Sequence, residues 1–168
     1  GGYVRLAKLV REWDGRFILD SSGEEFTRAV NEAGVFLLKP NMRELKHLVG
    51  EEIQSEEHQE NAAKELVASG KAEVVVVSLG AAGALFVTAD QMSRIRAPTV
   101  NIRSKIGAGD SMVGGIALGL DRGLSLLNAA RFGVAVGSAT VMTSGTELCR
   151  REEAERLYER IRRESIDG

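Results

Sequence analysis

The sequence predicts an α/β fold in which a mostly parallel sheet lies between two layers of helices. Two observations predict this three-layer arrangement. Short apolar runs typical of buried strands alternate with segments whose apolar residues have helical spacing. Polar, glycine-containing segments follow several of the runs, as they do at the carboxyl edge of a parallel sheet. Strands that alternate with helices in this way pair in parallel and are covered on both faces.

The first half of the chain supplies the alternating elements. Apolar or β-branched runs predict buried strands at residues 17–19, 35–38 and 74–77. Apolar residues at helical spacing predict helices over residues 24–31, 42–49 and 56–68. Ser55 is a suitable N-cap for the third helix, and Ser69-Gly70 a suitable stop.

The pattern changes after Gly80. Two antiparallel strands and an extended segment are predicted at residues 83–88, 91–97 and 100–102. Helices return over residues 110–122, 125–143 and 151–163. We find no internal repeat or linker in the sequence, which predicts a single domain over residues 1–168.

Composition excludes several functional classes. The net charge of -2 provides no excess of positive charge for a polyanion, so we expect no nucleic-acid partner. Apolar runs are too short for a membrane span, and the chain opens without a charged and apolar leader, which predicts a cytoplasmic protein without a membrane partner.

The residues that most often bind metals have structural interpretations. The single Cys149 excludes an internal disulfide and a cysteine-based metal cluster, and its apolar neighbours favour a buried, inert thiol. His47 and His58 lie in helical sequence rich in Glu and Lys, so we expect surface histidines.

Residues 107–115 place a carboxylate, Asp110, among glycines where a helix begins. The first N–H groups of a helix lack internal partners and attract anions, and glycines let a phosphoryl group approach the backbone. An anionic side chain beside phosphate is expected where it accepts a proton. The alternative for this motif in isolation is a tight turn capped by Asp.

Three separated motifs resemble the ribokinase-like (PfkB-type) sugar kinases. Residues 107–111, Gly-Ala-Gly-Asp-Ser, match the C-terminal signature of that family, and residues 41–44 match its Asn-x-x-Glu motif. Residues 76–80 with Gly83 match its nucleotide-side turn. Their order and spacing make the resemblance specific. It implies a ribokinase-like αβα fold, of which this chain matches the C-terminal part.

The resemblance also implies the reaction, transfer of the γ-phosphoryl group of ATP to a sugar hydroxyl. Asp110 would be the base, and the amides of Gly107, Ala108 and Gly109 would hold developing charge. Residues 131–140 are among the segments that resemble the branch that converts fructose 6-phosphate to fructose 1,6-bisphosphate in glycolysis.

Other functions remain open at this stage. The branches that phosphorylate fructose 1-phosphate or tagatose 6-phosphate share the Lys-Pro-Asn and Gly-Ala-Gly-Asp portions. A noncatalytic nucleotide-binding fragment and a dinucleotide-dependent oxidoreductase also use glycine-rich turns, although the sequence lacks the Gly-x-Gly-x-x-Gly spacing of the latter. The resemblance also bears on what the isolated chain can do. The family's N-terminal half holds most of the sugar-phosphate site, so we expect the isolated chain to be inactive. For the full-length protein we expect a homodimer.

Asn41 and Glu44 face one way on a nascent helix and would hold Mg²⁺ on the ATP phosphates. Their spacing equally fits a capping box, and both roles are compatible. Lys39 would reach a phosphate, with a solvated surface lysine as the alternative.

The resemblance implies two further sets of residues. The nucleotide would lie against Ser78, Gly80, Gly83, Ile102, Val134 and Ser138. A potassium ion would be bound through oxygen atoms of Ser104, Ile106, Thr140, Thr143 and Gly145. Ordinary turns and core positions are the alternatives for the first set.

Overall fold

The computed structural model describes residues 18–19, 30, 35–143 and 150–166. The chain forms two compact units. Among the described residues, the first unit contains those up to Val77 together with Val87–Met92, and the second contains Ser78–Phe86 and the residues from Ser93 onward.

Three parallel strands form the sheet of the first unit: β1 (Ile18–Leu19), β2 (Val35–Leu38) and β3 (Ala72–Ser78), whose last residue belongs to the second unit. Leu37 of β2 lies opposite Ile18 on one side and Val74 on the other. Residues 74–77 are all buried, as expected for a continuous β-branched run in a strand that is covered on both faces.

Helices α1 (Met42–Val49) and α2 (Glu56–Ala68) have the predicted bounds and begin at side-chain caps. Asn41 Oδ1 accepts a hydrogen bond of 2.9 Å from the Glu44 N–H, and Ser55 Oγ accepts one of 3.0 Å from the His58 N–H. These bonds satisfy N–H groups that the first helical turn leaves without partners. The caps therefore fix where both helices start.

A hairpin follows a 3₁₀ turn at Gly80–Ala82. Its strands, β4 (Ala84–Val87) and β5 (Met92–Ile95), are neighbours joined by four residues. The Thr88 N–H donates to the Gln91 carbonyl at 2.8 Å within this connection. So short a connection requires antiparallel strands, as predicted. Both strands are shorter than predicted, and residues 100–102 form no strand.

The second unit is completed by α3 (Ala108–Asp121), α4 (Leu126–Val141) and α5 (Arg151–Ile166). Helices α3 and α4 cross so closely that a Cβ on Gly115 would lie 2.9 Å from the Cα of Gly133. Helix α5 packs on α4 through a perpendicular contact between the Phe132 and Tyr158 rings, whose centroids are 5.4 Å apart. Small residues and aromatic rings thus hold the three helices together.

Several sequence predictions change at their ends or fall outside the description. Helix α3 begins two residues earlier than predicted, because Gly107 adopts a left-handed conformation with φ +78° and serves as the N-cap. Helix α5 continues three residues beyond the predicted end. The predicted helix over residues 24–31 lies outside the described residues except for Val30, which is helical and buried, and Cys149 also lies outside them.

The remaining expectations concern the surface. His47 is exposed, and His58 is partly exposed with its Nε2 3.6 Å from Glu51 Oε1. No helix in the described part of the chain combines the length and apolar character needed to cross a membrane.

Candidate functional site

A cavity of about 450 Å³ lies within the second unit. Its walls come from the turn after β3, the segment after β5, and helices α3 and α4. The residues that line it are Ser78, Gly80, Ala81, Gly83, Ala97, Pro98, Thr99, Val100, Ile102, Lys105, Ala108, Gly109, Met112, Val134, Gly137, Ser138 and Val141. All six residues predicted to surround the nucleotide are in this set. The size and largely apolar lining suit a small organic ligand with a few polar groups.

The turn after β3 gives the cavity one edge because two glycines shape it. Gly83 approaches the backbone of β5 so closely that a Cβ there would lie 1.9 Å from the Ile95 carbonyl oxygen. Gly80 has φ +59°, with open space where its Cβ would be. The Leu79 N–H donates to the Gly83 carbonyl at 2.9 Å and closes the turn. Backbone conformation and close approach, rather than side chains, therefore define this edge.

Helix α4, later in the chain, supplies buried residues to the cavity lining. Val134 is 5% exposed and Ser138 is 9% exposed, so both side chains are also part of the packed interior. Ile102 is 51% exposed and lies at the rim. An apolar wall with an exposed aliphatic rim suits a planar, weakly polar group such as a nucleobase.

Helix α3 begins at the cavity. The first backbone bond of the helix runs from the Ser111 N–H to the Gly107 carbonyl at 2.9 Å. The N–H groups of Ala108, Gly109 and Asp110 precede that bond and have no partner within the helix. Ala108 and Gly109 line the cavity, and apart from its chain neighbours no atom of the described residues lies within 4 Å of the position of a Cβ on Gly107. This arrangement leaves donors and space for an anionic group.

Asp110 lies in the first turn of α3 and is exposed. It immediately follows two cavity-lining residues, although its side chain is not part of the lining. A carboxylate that remains accessible beside an anion-binding helix start can accept a proton from an incoming hydroxyl. The local geometry is therefore compatible with the predicted base.

Three predicted residues belong to the first unit. Lys39 follows β2 and is 4% exposed, which is inconsistent with the alternative of a solvated surface lysine. Asn41 is the N-cap of α1 and Glu44 is its third residue, and the bond from the Glu44 N–H to Asn41 Oδ1 supplies one half of the capping box considered for this pair. Glu44 is partly buried. This cap leaves ligand atoms for a metal ion. Asn41 Oδ1 keeps a second lone pair, and Glu44 takes part in the cap through its backbone N–H and not through its carboxylate.

The donor set suits Mg²⁺ carried by a nucleotide. In the part of the chain that the structure describes, no group of three or more His, Cys, Asp or Glu side chains forms a metal cluster. Mg²⁺ in nucleotide sites is commonly bound through one or two carboxylates together with phosphates and water, so a single carboxylate such as Glu44 is enough on the protein side.

The predicted potassium ligands are brought together in part. The Ser104 N–H donates to the Val141 carbonyl at 3.2 Å, which holds residue 104 against the end of α4 near Thr140 and Thr143. The hydroxyls of Thr140 and Thr143 donate within the helix end, to the carbonyls of Val136 at 2.9 Å and Thr140 at 2.8 Å. The hydroxyl oxygens therefore keep lone pairs, and the potassium site stays a prediction. Ile106 is 73% exposed, and Gly145 lies outside the described residues.

Sequence reasoning missed several lining residues, including Lys105, Met112 and residues 97–100. Lys105 carries a detectable signal, because it is a basic residue two positions before the glycine-rich motif. Residues 97–100 carry no such signal, since only the fold brings an irregular segment against α4.

Comparison with known proteins assigns the family. The model of the pfkB family of carbohydrate kinases matches residues 3–153. The ATP-dependent 6-phosphofructokinase isozyme 2 of Mycobacterium tuberculosis is 44% identical over 94% of this chain and 46% of its own length. The enzyme of the same name from Escherichia coli is 43% identical over 92% of this chain and 50% of its own length.

Solved structures agree with this fold. The crystal structure of Escherichia coli phosphofructokinase-2 in complex with potassium superposes with a TM-score of 0.84 at 41% identity, over 94% of this chain and 52% of that one. The ribokinase of Thermotoga maritima superposes with a TM-score of 0.64 at 26% identity, over 74% of this chain and 42% of that one. The chain spans about half the length of the relatives it matches. With the ribokinase-like α/β fold and the three ordered motifs, these matches establish that the chain belongs to the pfkB family of carbohydrate kinases.

Proposed function

We propose that this chain is the nucleotide-binding and catalytic part of an ATP-dependent 6-phosphofructokinase. The observation that supports this most is the start of α3, where Ala108 and Gly109 line the cavity and the exposed residue Asp110 follows them. Both parts are needed for phosphoryl transfer, donors for the phosphate and a base for the hydroxyl. A purely nucleotide-binding turn would have no use for the carboxylate.

The reaction would proceed by direct transfer. The Asp110 carboxylate takes the proton of the sugar hydroxyl while the hydroxyl oxygen forms a bond to the γ-phosphorus of ATP. The bond between that phosphorus and the oxygen bridging to the β-phosphate breaks, and ADP leaves. The amides of Gly107, Ala108 and Gly109 stabilise charge on the phosphoryl oxygens. Mg²⁺, when bound with the phosphates near Asn41 and Glu44, would supply further charge stabilisation. A potassium ion is the second proposed cation. It would be bound through oxygen atoms of Ser104, Ile106, Thr140, Thr143 and Gly145.

Fructose 6-phosphate is the proposed acceptor, with fructose 1,6-bisphosphate as the product. Identity to the 6-phosphofructokinases is 44% and 43%, compared with 38% to the 1-phosphofructokinase of Bacillus subtilis. The second candidate is therefore phosphorylation of fructose 1-phosphate. Tagatose 6-phosphate is a further possible acceptor to be tested with it.

A chimeric enzyme tests whether this chain carries out phosphoryl transfer, because the other half of the enzyme would provide most of the sugar-phosphate site. The segment of Escherichia coli phosphofructokinase-2 that corresponds to this chain would be replaced by these 168 residues, because the match covers 94% of the chain at a TM-score of 0.84. We expect Mg-ATP-dependent conversion of fructose 6-phosphate, the sugar phosphate with which Escherichia coli phosphofructokinase-2 has been crystallised. A folded chimera that binds ATP without transferring its phosphoryl group would contradict the catalytic assignment.

The 168-residue chain alone should bind ATP and phosphorylate no sugar. It matches about half the length of its relatives, and the family resemblance assigns most of the sugar-phosphate site to the other half. Losing the positioned acceptor forfeits much of an effective molarity worth about 7–11 kcal/mol. Turnover of the isolated chain comparable to that of the chimera would contradict this proposal.

The location and oligomeric state of the full-length protein stay predictions: a cytoplasmic homodimer. Escherichia coli phosphofructokinase-2 itself has a tetrameric inhibited form.

A further inference from the structure

Lys105 is the one charged side chain among the described residues that line the cavity. The remaining lining residues are apolar, glycine or hydroxyl-bearing. The Lys105 side chain is exposed, and within the described part of the chain its ammonium group has no hydrogen bond or ion pair. A cation at the rim of an otherwise uncharged cavity is thus available to an anionic group of a bound ligand.

The backbone on both sides of Lys105 is fixed. The N–H groups of Arg103 and Ser104 both donate to the Val141 carbonyl, at 2.7 and 3.2 Å. Ser104 Oγ accepts from the Ile106 N–H at 3.2 Å, which makes a tight turn around Lys105. The Lys105 side chain therefore projects from a fixed backbone near the start of α3, which begins three residues further along the chain. A held position lowers the entropic cost of binding an anion.

The charges at this end of the cavity require a cation. A nucleoside triphosphate carries several negative charges, and Asp110 in the first turn of α3 adds another. The N-terminus of a helix offsets only about half an elementary charge. Lysine provides a full charge and three rotatable donors, which suits phosphate oxygens whose positions change during transfer.

We propose that Lys105 binds the phosphate chain of the nucleotide and makes the cavity selective for nucleoside di- and triphosphates over nucleosides. This inference rests on the proposed function in one respect, that the cavity holds a nucleotide. It adds a phosphate-binding residue that is neither in the glycine-rich motif nor among the residues the sequence predicted for the nucleotide.

Calorimetric titrations of the chain with ATP, ADP and adenosine test the proposal. Three variants would be compared with the unsubstituted chain: Lys105→Gln, Lys105→Arg and Arg103→Gln. Arg103 is the matched control, because it has the same charge, is exposed, lies two residues away and is not in the lining. Its substitution leaves the backbone bond to Val141 in place.

We expect Lys105→Gln to weaken ATP and ADP binding about three- to tenfold, the range for one partly solvated charge pair, and to leave adenosine unchanged. Lys105→Arg should retain most of the affinity, and Arg103→Gln should have little effect. Equal losses for Lys105→Gln and Arg103→Gln would show a general charge effect and overturn the proposal, as would unchanged ATP binding in Lys105→Gln. If the unsubstituted chain bound neither ATP nor adenosine, the nucleotide site itself would be wrong, and this assignment with it.

Discussion

Gly83 lies so close to β5 that the shape of one cavity edge depends on the absence of a side chain. A Cβ at this position would meet the Ile95 carbonyl oxygen at 1.9 Å and the Ala97 nitrogen at 2.7 Å. Both neighbours are backbone atoms, which cannot move aside without disturbing the strand. Gly80, three residues earlier, has open space around it and requires glycine only for its φ of +59°.

Substituting these two glycines should show what close approach adds to the cost of a positive φ. Gly83→Ala is expected to lower the free energy of unfolding by more than about 3 kcal/mol, since the backbone must shift and the φ of +95° also disfavours an L-residue. Gly80→Ala should cost about 1–2 kcal/mol, the penalty of a left-handed conformation for an L-residue. Urea denaturation of both variants measures the difference. Equal losses would show that the contact with Ile95 is easily relieved.

The role of Asp110 can be tested at constant size. Asp110→Asn retains the shape of the side chain but removes the proton acceptor, so kcat of the chimeric enzyme should fall about 10²- to 10⁴-fold. The Kd for ATP should change little. Asp121→Asn, at the exposed far end of the same helix, is the control for loss of one carboxylate. Near-normal turnover in Asp110→Asn would exclude Asp110 as the base.

Glu44 has a backbone role in the cap of α1 that does not depend on its charge. Glu44→Gln should therefore preserve the helix while raising the Mg²⁺ concentration needed for half-maximal turnover of the chimera. Glu57→Gln provides the same charge change in the exposed first turn of α2. An unchanged Mg²⁺ requirement in Glu44→Gln would leave capping as the only function of residues 41–44.

At the scale of elements, the crossing of α3 and α4 depends on glycines at the contact. A Cβ on Gly115 would lie 2.9 Å from both the Gly133 Cα and the Val136 Cγ2 atoms. The neighbouring Gly114 is exposed, and apart from its own helix backbone and chain neighbours no atom of the described residues lies within 4 Å of its Cβ position. Two adjacent glycines of one helix thus have different environments, one at the crossing and one in solvent.

The pair Gly115→Ala and Gly114→Ala tests this crossing directly. Gly115→Ala should destabilise the protein by about 1–3 kcal/mol through overpacking. Gly114→Ala should stabilise it by about 0.5–1 kcal/mol, because alanine restricts the unfolded chain and favours the helix. Thermal unfolding followed by circular dichroism provides both values. A stabilising Gly115→Ala would mean that the helices can separate at no cost.

At the scale of the whole molecule, stability at high pH should depend on Tyr158. Burial raises the pKa of its phenol, and the guanidinium of Arg162, 5.7 Å from the ring centroid, partly opposes this effect. Because the folded pKa is above the unfolded one, the neutral phenol contributes stability that is complete below the unfolded value of about 10. That contribution is lost as the pH rises through the folded pKa.

Tyr158→Phe should flatten the alkaline limb of stability. The substitution keeps the ring that packs edge-on against Phe132 but removes the titrating group. The variant should therefore lose less unfolding free energy than the unsubstituted protein between about pH 9 and pH 11, with similar values near neutrality. Denaturant titrations at each pH provide the comparison. Parallel losses in the two proteins would assign the alkaline limb to other groups.

Local signals made much of this molecule predictable. The bounds of α1 and α2 and their caps at Asn41 and Ser55 agree with the sequence predictions, because capping bonds reach only three residues along the chain. Strands β2 and β3 were equally detectable, since their buried residues form continuous apolar runs. The family resemblance predicted six residues around the nucleotide, and all six line the cavity.

By itself, then, the sequence determined the alternation of elements, the family and the residues at the start of α3, because these depend on neighbours along the chain or on ordered motifs. Tertiary structure alone decided that residues 97–100 form a wall, that Gly83 meets β5, and that Lys105 is at the rim. These features arise from contacts between segments far apart in the chain, and no local pattern of charge or hydropathy encodes which distant backbone will approach.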